Sequence, residues 1–438
     1  MEAKLRELSV DSRLSAVEDR VNAFLKSVDE LKKTTTIGQR NHERKKLYSD
    51  VEYIRLDIEE EILKLHEAPH ESPDVTPPSD DITKCEHEAV VAAVKRLDIL
   101  RNQLALETAP PPTTQVEKVM YVVRFATAIM LMFGGFAIVF FIIPLRWSHL
   151  ILRKYGIPNN WLPMDLVQHG IGRLICMCAG VEITTDGTEK NLKNLKDPST
   201  VAMFTHGSNL DTPMILAVSP VTVKLIGKKT LFLVPIIGWV FRWGFGLVPI
   251  DRSNREKAKK SLKDLAEAVN DYGRSIAISP EGKRTKNGQL CDFKKGPFYL
   301  QADVNKPITP VIIQGVYELW SPGRTFAVPG KCLVRFLPQF LVDPKKSKNA
   351  NRLALRRVFL NALAEPVPDY LSSSVDDRFY MIHVWTMVNI WFFVPSVLSF
   401  IASTIQGVGA AFGLSWFASL QAVISIMVLF EGLMWSTC

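Results

Sequence analysis

The apolar positions of this chain fall into three regimes. From Leu14 they recur at alternating three- and four-residue spacings through Val17, Val21, Phe24, Val28 and Leu31, and a less regular series follows through Leu47, Val51, Ile54, Ile58, Ile62 and Leu65. That spacing keeps one face of a helix apolar, so residues 1–107 are predicted to be helical, with a third run at Val90, Val94, Leu97 and Leu104. A seam of about two to three heptads suits an intramolecular bundle or a dimerising coiled coil equally, and the second would bring self-association. Proline-bearing stretches at 69–81 and 108–114 interrupt the helices. Residues 108–118 are expected to be a linker that leaves the helical region dispensable for chemistry further along.

Between residues 147 and 370 the pattern changes. Short strand-like runs at Val181–Thr185, Val201–Thr205, Val221–Ile226, Leu247–Ile250, Ser275–Ser279, Ile308–Ile313 and Cys332–Leu337 alternate with helix-like runs, notably Asn254–Asn270 and Asn351–Leu363. Alternation of this kind predicts an α/β layered domain with a largely parallel sheet and flanking helices.

The third regime lacks charge. No Asp, Glu, Lys or Arg occurs from Met381 to Phe430, enough for two spans of ~20 residues each. Residues 381–438 are therefore expected to form a transmembrane hairpin with arms near 384–405 and 414–430, broken around Gln406–Gly413. Trp385, Trp391, Trp416 and Trp435 suit the interfaces. A membrane segment is also expected at 119–146, where Phe125–Leu145 is uncharged; Gly134, Gly135 and Pro144 leave spanning and re-entry both open.

Charge divides along the same lines. The 438 residues are 47% hydrophobic; residues 1–118 carry 18 Lys+Arg against 24 Asp+Glu, and the remainder 35 against 21. A basic block suits anionic membranes or polyanionic ligands such as coenzyme A. Nucleic acid is not an expected partner, because the chain carries membrane segments and no recognised binding motif. Arg146, Arg153, Lys154, Arg173, Arg356, Arg357 and Arg378 flank the apolar segments, which places the basic block on the cytosolic side. The six cysteines show no Cys-x2-Cys pair and the histidines no zinc spacing, so no metal is expected.

Candidate chemistry begins at Phe204-Thr205-His206-Gly207-Ser208-Asn209-Leu210-Asp211. His206 emerges where an apolar strand ends, the place where α/β sheets present reactive groups. Histidine can accept a proton near neutral pH, and a neighbouring carboxylate fixes its tautomer. On a regular helix a separation of five would turn the two side chains ~140° apart, so Asp211 meets His206 only if the chain turns at Gly207–Asn209. Standing alone, the pair also reads as a loop histidine followed by a helix-capping aspartate. Ser208 is a nucleophile candidate, but a polar residue opening a helix more often caps it.

Further segments join this one: Gly246-Leu247-Val248-Pro249-Ile250-Asp251-Arg252, Ser279-Pro280-Glu281-Gly282-Lys283-Arg284-Thr285 and Ile308-Thr309-Pro310-Val311-Ile312. In this order and spacing they resemble the phospholipid and glycerol acyltransferase family, which includes lysophosphatidic acid acyltransferase. The resemblance runs from about Val181 to Pro338 and takes in Asp292-Phe293-Lys294-Lys295-Gly296. It implies His206 as the base that deprotonates an acceptor hydroxyl and Asp211 as its orienting partner. It also implies Asp251, Arg252, Glu281, Gly282 and Arg284 as acceptor-binding residues, with the arginines facing phosphate, and Pro310 as a shaping residue. Without that context, each arginine reads as a surface ion pair with Asp251 or Glu281. Thr205 stands where the family usually has asparagine and Lys283 where it usually has threonine; the lysine adds a cation beside the implied phosphate site.

The expected reaction moves an acyl group from acyl-CoA to a lysophospholipid hydroxyl, above all from 1-acylglycerol-3-phosphate to phosphatidic acid. No nucleophile elbow or nearby cysteine points to an acyl-enzyme, and no cofactor beyond the acyl-CoA co-substrate is implied. Glycerol-3-phosphate or another lysophospholipid is the neighbouring acceptor. An inactive membrane scaffold working through its N-terminal helices is the non-enzymatic alternative. The expected setting is the lipid bilayer of the endoplasmic reticulum, with the catalytic block toward the cytosol.

Overall fold

The computed structural model describes residues 10–67, 80–157, 162–188, 200–220, 223–233, 247–250, 275–366 and 375–411, parts of 260–266 and a few isolated positions. Three helices come first: α1 (Val10–Thr34), α2 (Ile37–Glu67) and α3 (Asp80–Gln103). Directly after the proline run, Thr114 and Glu117 form a reciprocal capping box that opens α4 (Gln115–Lys154). This helix is continuous over 40 residues, so residues 119–146 hold no re-entrant turn. The linker ends where the helix begins, inside the 108–118 stretch expected to separate the regions.

The α/β domain follows as α5 (Pro163–Ala179), β1 (Val181–Asp186), β2 (Val201–Phe204), α6 (Asp211–Val218), β3 (Val223–Lys228), β4 (Val248–Ile250) and β5 (Ser275–Ile278). It continues with α7 (Gly296–Val304), β6 (Ile308–Gln314), β7 (Gly330–Phe336) and α8 (Lys348–Ala364). The strands form one seven-stranded sheet in the order β1-β7-β6-β2-β5-β3-β4. Every neighbouring pair is parallel except β6–β7, whose connection reverses direction without a crossover. The largely parallel sheet matches the sequence expectation, strand by strand. The helix expected at Asn254–Asn270 lies mostly outside the described residues.

Successive residues of a strand point to opposite faces, and the core divides accordingly. Val201, Met203, Ile276, Ile308 and Ile312 pack with α7, α8 and the N-terminal helices; Ala202, Phe204, Ala277, Val311 and Ile313 pack with α5 and α6. The N-terminal helices do not stand apart. Leu14, Val17, Val21, Leu47, Val51, Ile54, Leu97 and Leu104 are buried in the same cluster as the strand residues. The apolar seam is thus filled from within the chain, which removes the face a dimerising coiled coil would need.

The last described helix, α9 (Asp377–Ala411), packs beside α4, where Trp391 Nε1 donates to Thr127 Oγ1 at 3.0 Å. Among the described residues it is the one helix long and apolar enough to cross a bilayer by itself. It runs through Gln406, where the first arm of the expected hairpin should have ended. The second arm, 414–430, lies almost wholly outside the described residues.

Candidate active site

Phe204 ends β2 in the middle of the sheet, and the next residues carry the candidate chemistry to its C-terminal edge. Thr205, the departure from the family's usual asparagine, joins the neighbouring strand: its N–H donates to Val311 O at 3.2 Å and its Oγ1 accepts from Ile313 N at 2.9 Å. The chain then turns at Gly207–Asn209 and enters α6 with Asp211 as its first residue. That turn brings the His206 Nδ1 within 2.7 Å of Asp211 Oδ2. The same oxygen accepts from Ser208 N at 2.8 Å, so one carboxylate both orients the imidazole and satisfies the turn. Asp211 is fully buried, and burial raises its carboxyl against the opposing pull of His206 and the Ser208 N–H. His206 keeps about a fifth of its side chain exposed. With Nδ1–H donated to Asp211, the lone pair on Nε2 is the basic one.

Ser208 is committed elsewhere. Its hydroxyl donates to Trp320 O at 2.7 Å and accepts from Leu210 N at 3.2 Å, the arrangement of a local cap. Tyr317 lines a small cavity of about 30 Å³ beside His206, together with Glu281, Thr285 and Lys45 of α2.

Glu281 lies behind the histidine. Its Oε1 accepts from His206 N and its Oε2 from Cys291 N, both at 2.7 Å, and it is 1% exposed. Burial pushes its carboxyl up to about 7, against those two N–H donors. A carboxylate so placed braces the histidine-bearing loop from within, both of its oxygens accepting main-chain N–H donors. Gly282 follows at φ 69°, a left-handed turn that glycine adopts without steric cost. Lys283 and Arg284 are exposed, and the next residue, Thr285, donates its N–H to His206 O at 2.9 Å. The two cations therefore stand on a short loop pinned to the histidine on both sides.

Pro310 is a buried residue of β6 opposite Met203, three positions before His206 on the facing strand, or ~10 Å along it. Its influence on the site passes through the strand. Asp251 and Arg252 lie outside the described residues. Cys176, Cys178 and Cys332 are buried, and burial raises their thiols. Among the described residues no group of three His, Cys, Asp or Glu is placed to hold a metal ion.

Sequence reasoning missed the supports of this loop. Thr285, Cys291 and Trp320 act through main-chain atoms, which any residue type supplies, so their identities carried no signal. Only the close spacing of Glu281 to Cys291 within one motif-rich segment hinted at them.

A sheet edge presenting an Asp-paired histidine beside a loop with two exposed cations fits the class of candidate acid–base sites. Comparison with known proteins narrows that class. Residues 187–314 match the family model described as Acyltransferase. The chain is 27% identical over 252 residues to the 1-acyl-sn-glycerol-3-phosphate acyltransferase of Limnanthes alba, covering 57% of this chain and 87% of that protein. It is 31% identical over 160 residues to the protein of that name from Saccharomyces cerevisiae, covering 36% of this chain and 51% of that protein. The crystal structure of the 1-acyl-sn-glycerophosphate acyltransferase PlsC from Thermotoga maritima aligns over 55% of this chain and 96% of its own, with 21% identity and a TM-score of 0.42. Residues 187–314 are thus similar to the acyltransferase domain found in relatives named 1-acyl-sn-glycerol-3-phosphate acyltransferase.

Proposed function

We propose that this chain transfers a fatty acyl group from acyl-CoA to the free hydroxyl of a lysophospholipid, with 1-acylglycerol-3-phosphate as acceptor and phosphatidic acid as product. The observation that carries the chemistry is the 2.7 Å contact between His206 Nδ1 and the fully buried Asp211. It leaves Nε2 to take the proton from the acceptor hydroxyl as its oxygen attacks the thioester carbonyl. A C–O bond forms, the C–S bond breaks, and the imidazolium returns its proton to the departing thiolate of coenzyme A. The names of the relatives support the acceptor. Arg284, with Lys283 beside it, is the group proposed to grip the acceptor phosphate, since guanidinium binds phosphate oxygens in a fork.

Membrane attachment is assigned to α4 and α9. Trp385, Phe392, Phe393 and Phe400 on α9 are each about two-thirds exposed or more, a surface that suits lipid better than water. The cytosolic setting, in the endoplasmic reticulum, rests on the basic residues beside these helices. Two of those, Arg356 and Arg357, pair with Glu52 and Asp57 of α2, so the orientation rests on Arg146, Arg153, Lys154, Arg173 and Arg378.

The test is an assay of purified protein against a panel of lysophospholipids and glycerol-3-phosphate with acyl-CoA. His206→Ala is expected to lower kcat by ~10²-fold or more in a folded protein. Asp211→Asn should lower it sharply as well. Arg284→Ala should raise the acceptor KM about tenfold while sparing that of acyl-CoA, and Lys283→Thr should keep activity while shifting head-group preference. Full turnover in His206→Ala refutes the mechanism. A wild-type protein inactive on the whole panel favours the scaffold reading.

A further inference from the structure

The segment that follows the Glu-Gly-Lys-Arg motif is held from the N-terminal side of the chain. Tyr48 of α2 donates its hydroxyl to Leu290 O at 2.7 Å. Arg356 of α8 donates to Cys291 O at 2.6 Å and pairs through its other nitrogen with Glu52 of α2. Glu52 also meets Arg101 of α3 at 2.5 Å. Asp292 is ringed by Arg55 at 2.8 Å, Arg356 at 3.1 Å and Arg101 at 3.2 Å. Burial would raise the Asp292 carboxyl, but these three guanidiniums outweigh it and hold it well below the usual range. Two contacts to main-chain oxygens complete the attachment: Gln289 Nε2 donates to Leu104 O at 2.6 Å, and Leu106 N donates to Asn287 O at 2.8 Å.

The other side of the same segment holds the histidine. Cys291 N donates to Glu281 Oε2, and Glu281 Oε1 accepts from His206 N. A continuous line of hydrogen bonds therefore runs from Glu52 through Arg356, Cys291 and Glu281 to the main chain of His206. Resting on the acyltransferase reading above, we infer that Glu52 and Tyr48 of α2 are positioning residues for the reaction. They fix residues 289–292, and with them the carboxylate that sets the catalytic histidine.

The choice of groups supports this role. Glu52 is 0% and Arg356 2% exposed. Burying such a pair carries a desolvation penalty, and well-packed apolar residues are often as stabilising or more so. What an ion cluster provides is a defined register, because each charge tolerates only a narrow set of partner positions. Its position beside Leu290 and Cys291 directs that register to the loop that carries Glu281.

The experiment uses the full-length protein with Glu52→Gln and Tyr48→Phe, and with Asp57→Asn as control. Asp57 pairs with Arg13 and Arg357 in the same interface but touches nothing in residues 289–292. Glu52→Gln is expected to lower kcat about tenfold, as for loss of a charged hydrogen bond. Both substrate KM values should stay within about twofold. Tyr48→Phe should do the same more mildly, and Asp57→Asn should leave kcat unchanged. Independently of activity, the amides of His206 and Cys291 should exchange hydrogen about tenfold faster in Glu52→Gln, without change in β1 and β7. Unaltered kcat and exchange in a folded Glu52→Gln or Tyr48→Phe variant overturns the inference, as does an equal kcat loss in Asp57→Asn. If wild-type protein transfers no acyl group, the proposed function fails, and the exchange measurement alone decides the positioning role.

Discussion

The two faces of the sheet are built from alternate residues of the same strands, yet they meet opposite neighbours. One face, with Met203 and Ile312, is covered by helices whose further contacts end in ion pairs: Arg13 and Arg357 with Asp57, Arg96 with Glu18, Arg356 with Glu52. The other, with Phe204 and Ile313, is covered by α5 and α6, and beyond α5 lie α4 and α9 with their outward apolar side chains. Charged contacts specify a position, because each has one partner at one distance. Apolar contacts specify only an environment. On the proposed function, the difference gives the two layers separate jobs: the N-terminal helices would set the geometry of the loop that carries His206, and α4 and α9 would set where the domain resides.

That division is broken or sharpened most strongly by truncation. Removing residues 1–107 strips away the helices that pack on α8 and uncovers Leu290, Phe293 and Phe359, which share their core. The outcome expected from the structure is an insoluble or inactive protein, opposite to the modularity that the proline linker suggests in the sequence. Removing residues 381–438 should leave a folded domain that resists carbonate extraction less than the full chain, with α4 as its remaining apolar helix. Soluble, fully active protein after the first deletion makes the helices an accessory after all.

A point substitution asks the same question more gently. Leu97 of α3 is fully buried in the shared core, so Leu97→Ala should cost about 2–5 kcal/mol, read from urea unfolding of detergent-solubilised protein. Phe392→Ala on α9 removes more atoms, yet that side chain is 74% exposed, and the cost in the same solvent should stay within about 0.5 kcal/mol.

How these layers assemble was only partly legible in the sequence. The strands were, because their apolar runs are short and bounded by Gly, Pro and charge. The His206–Asp211 turn was legible for the same local reason. The heptad-like seam announced an apolar stripe on α1 but not what covers it, since a stripe has the same spacing against a second copy as against α2. Arg356 read as a juxtamembrane cation and Glu52 drew no reading at all; their pairing spans 304 residues, and nothing local encodes it. The main-chain contacts of Glu281 were illegible for a related reason. A motif shows that a carboxylate is needed, not whether it faces substrate or the main chain.

Glu281 offers a pH test of the loop itself. Its carboxyl is pushed up to about 7 in the folded protein, from 4.5 when unperturbed. Between those values the native state keeps a proton that the unfolded chain has lost, so stability should fall as pH rises from 4.5 to 7 and level off above. The contribution amounts to at most about 3 kcal/mol. Glu281→Gln should flatten that slope, measured as the urea midpoint from pH 5 to 8. An identical slope in both proteins means that another group sets the pH dependence.

The smallest perturbation compares single cysteines on the two outer layers. Ile99 of α3 and Phe392 of α9 are both exposed, at 57% and 74%, and replacing either by cysteine should alter stability by no more than about 0.5 kcal/mol. In detergent-free lipid vesicles, a water-soluble maleimide should label Ile99→Cys rapidly, because α3 belongs to the charged layer. Phe392→Cys should label no faster than the parent protein, since a thiol in hydrocarbon neither ionises nor meets the reagent. Solubilisation in a mild detergent should begin to expose it. If Phe392→Cys reacts in vesicles as fast as Ile99→Cys, the apolar face of α9 is open to water, and its aromatic surface awaits a protein partner in place of lipid.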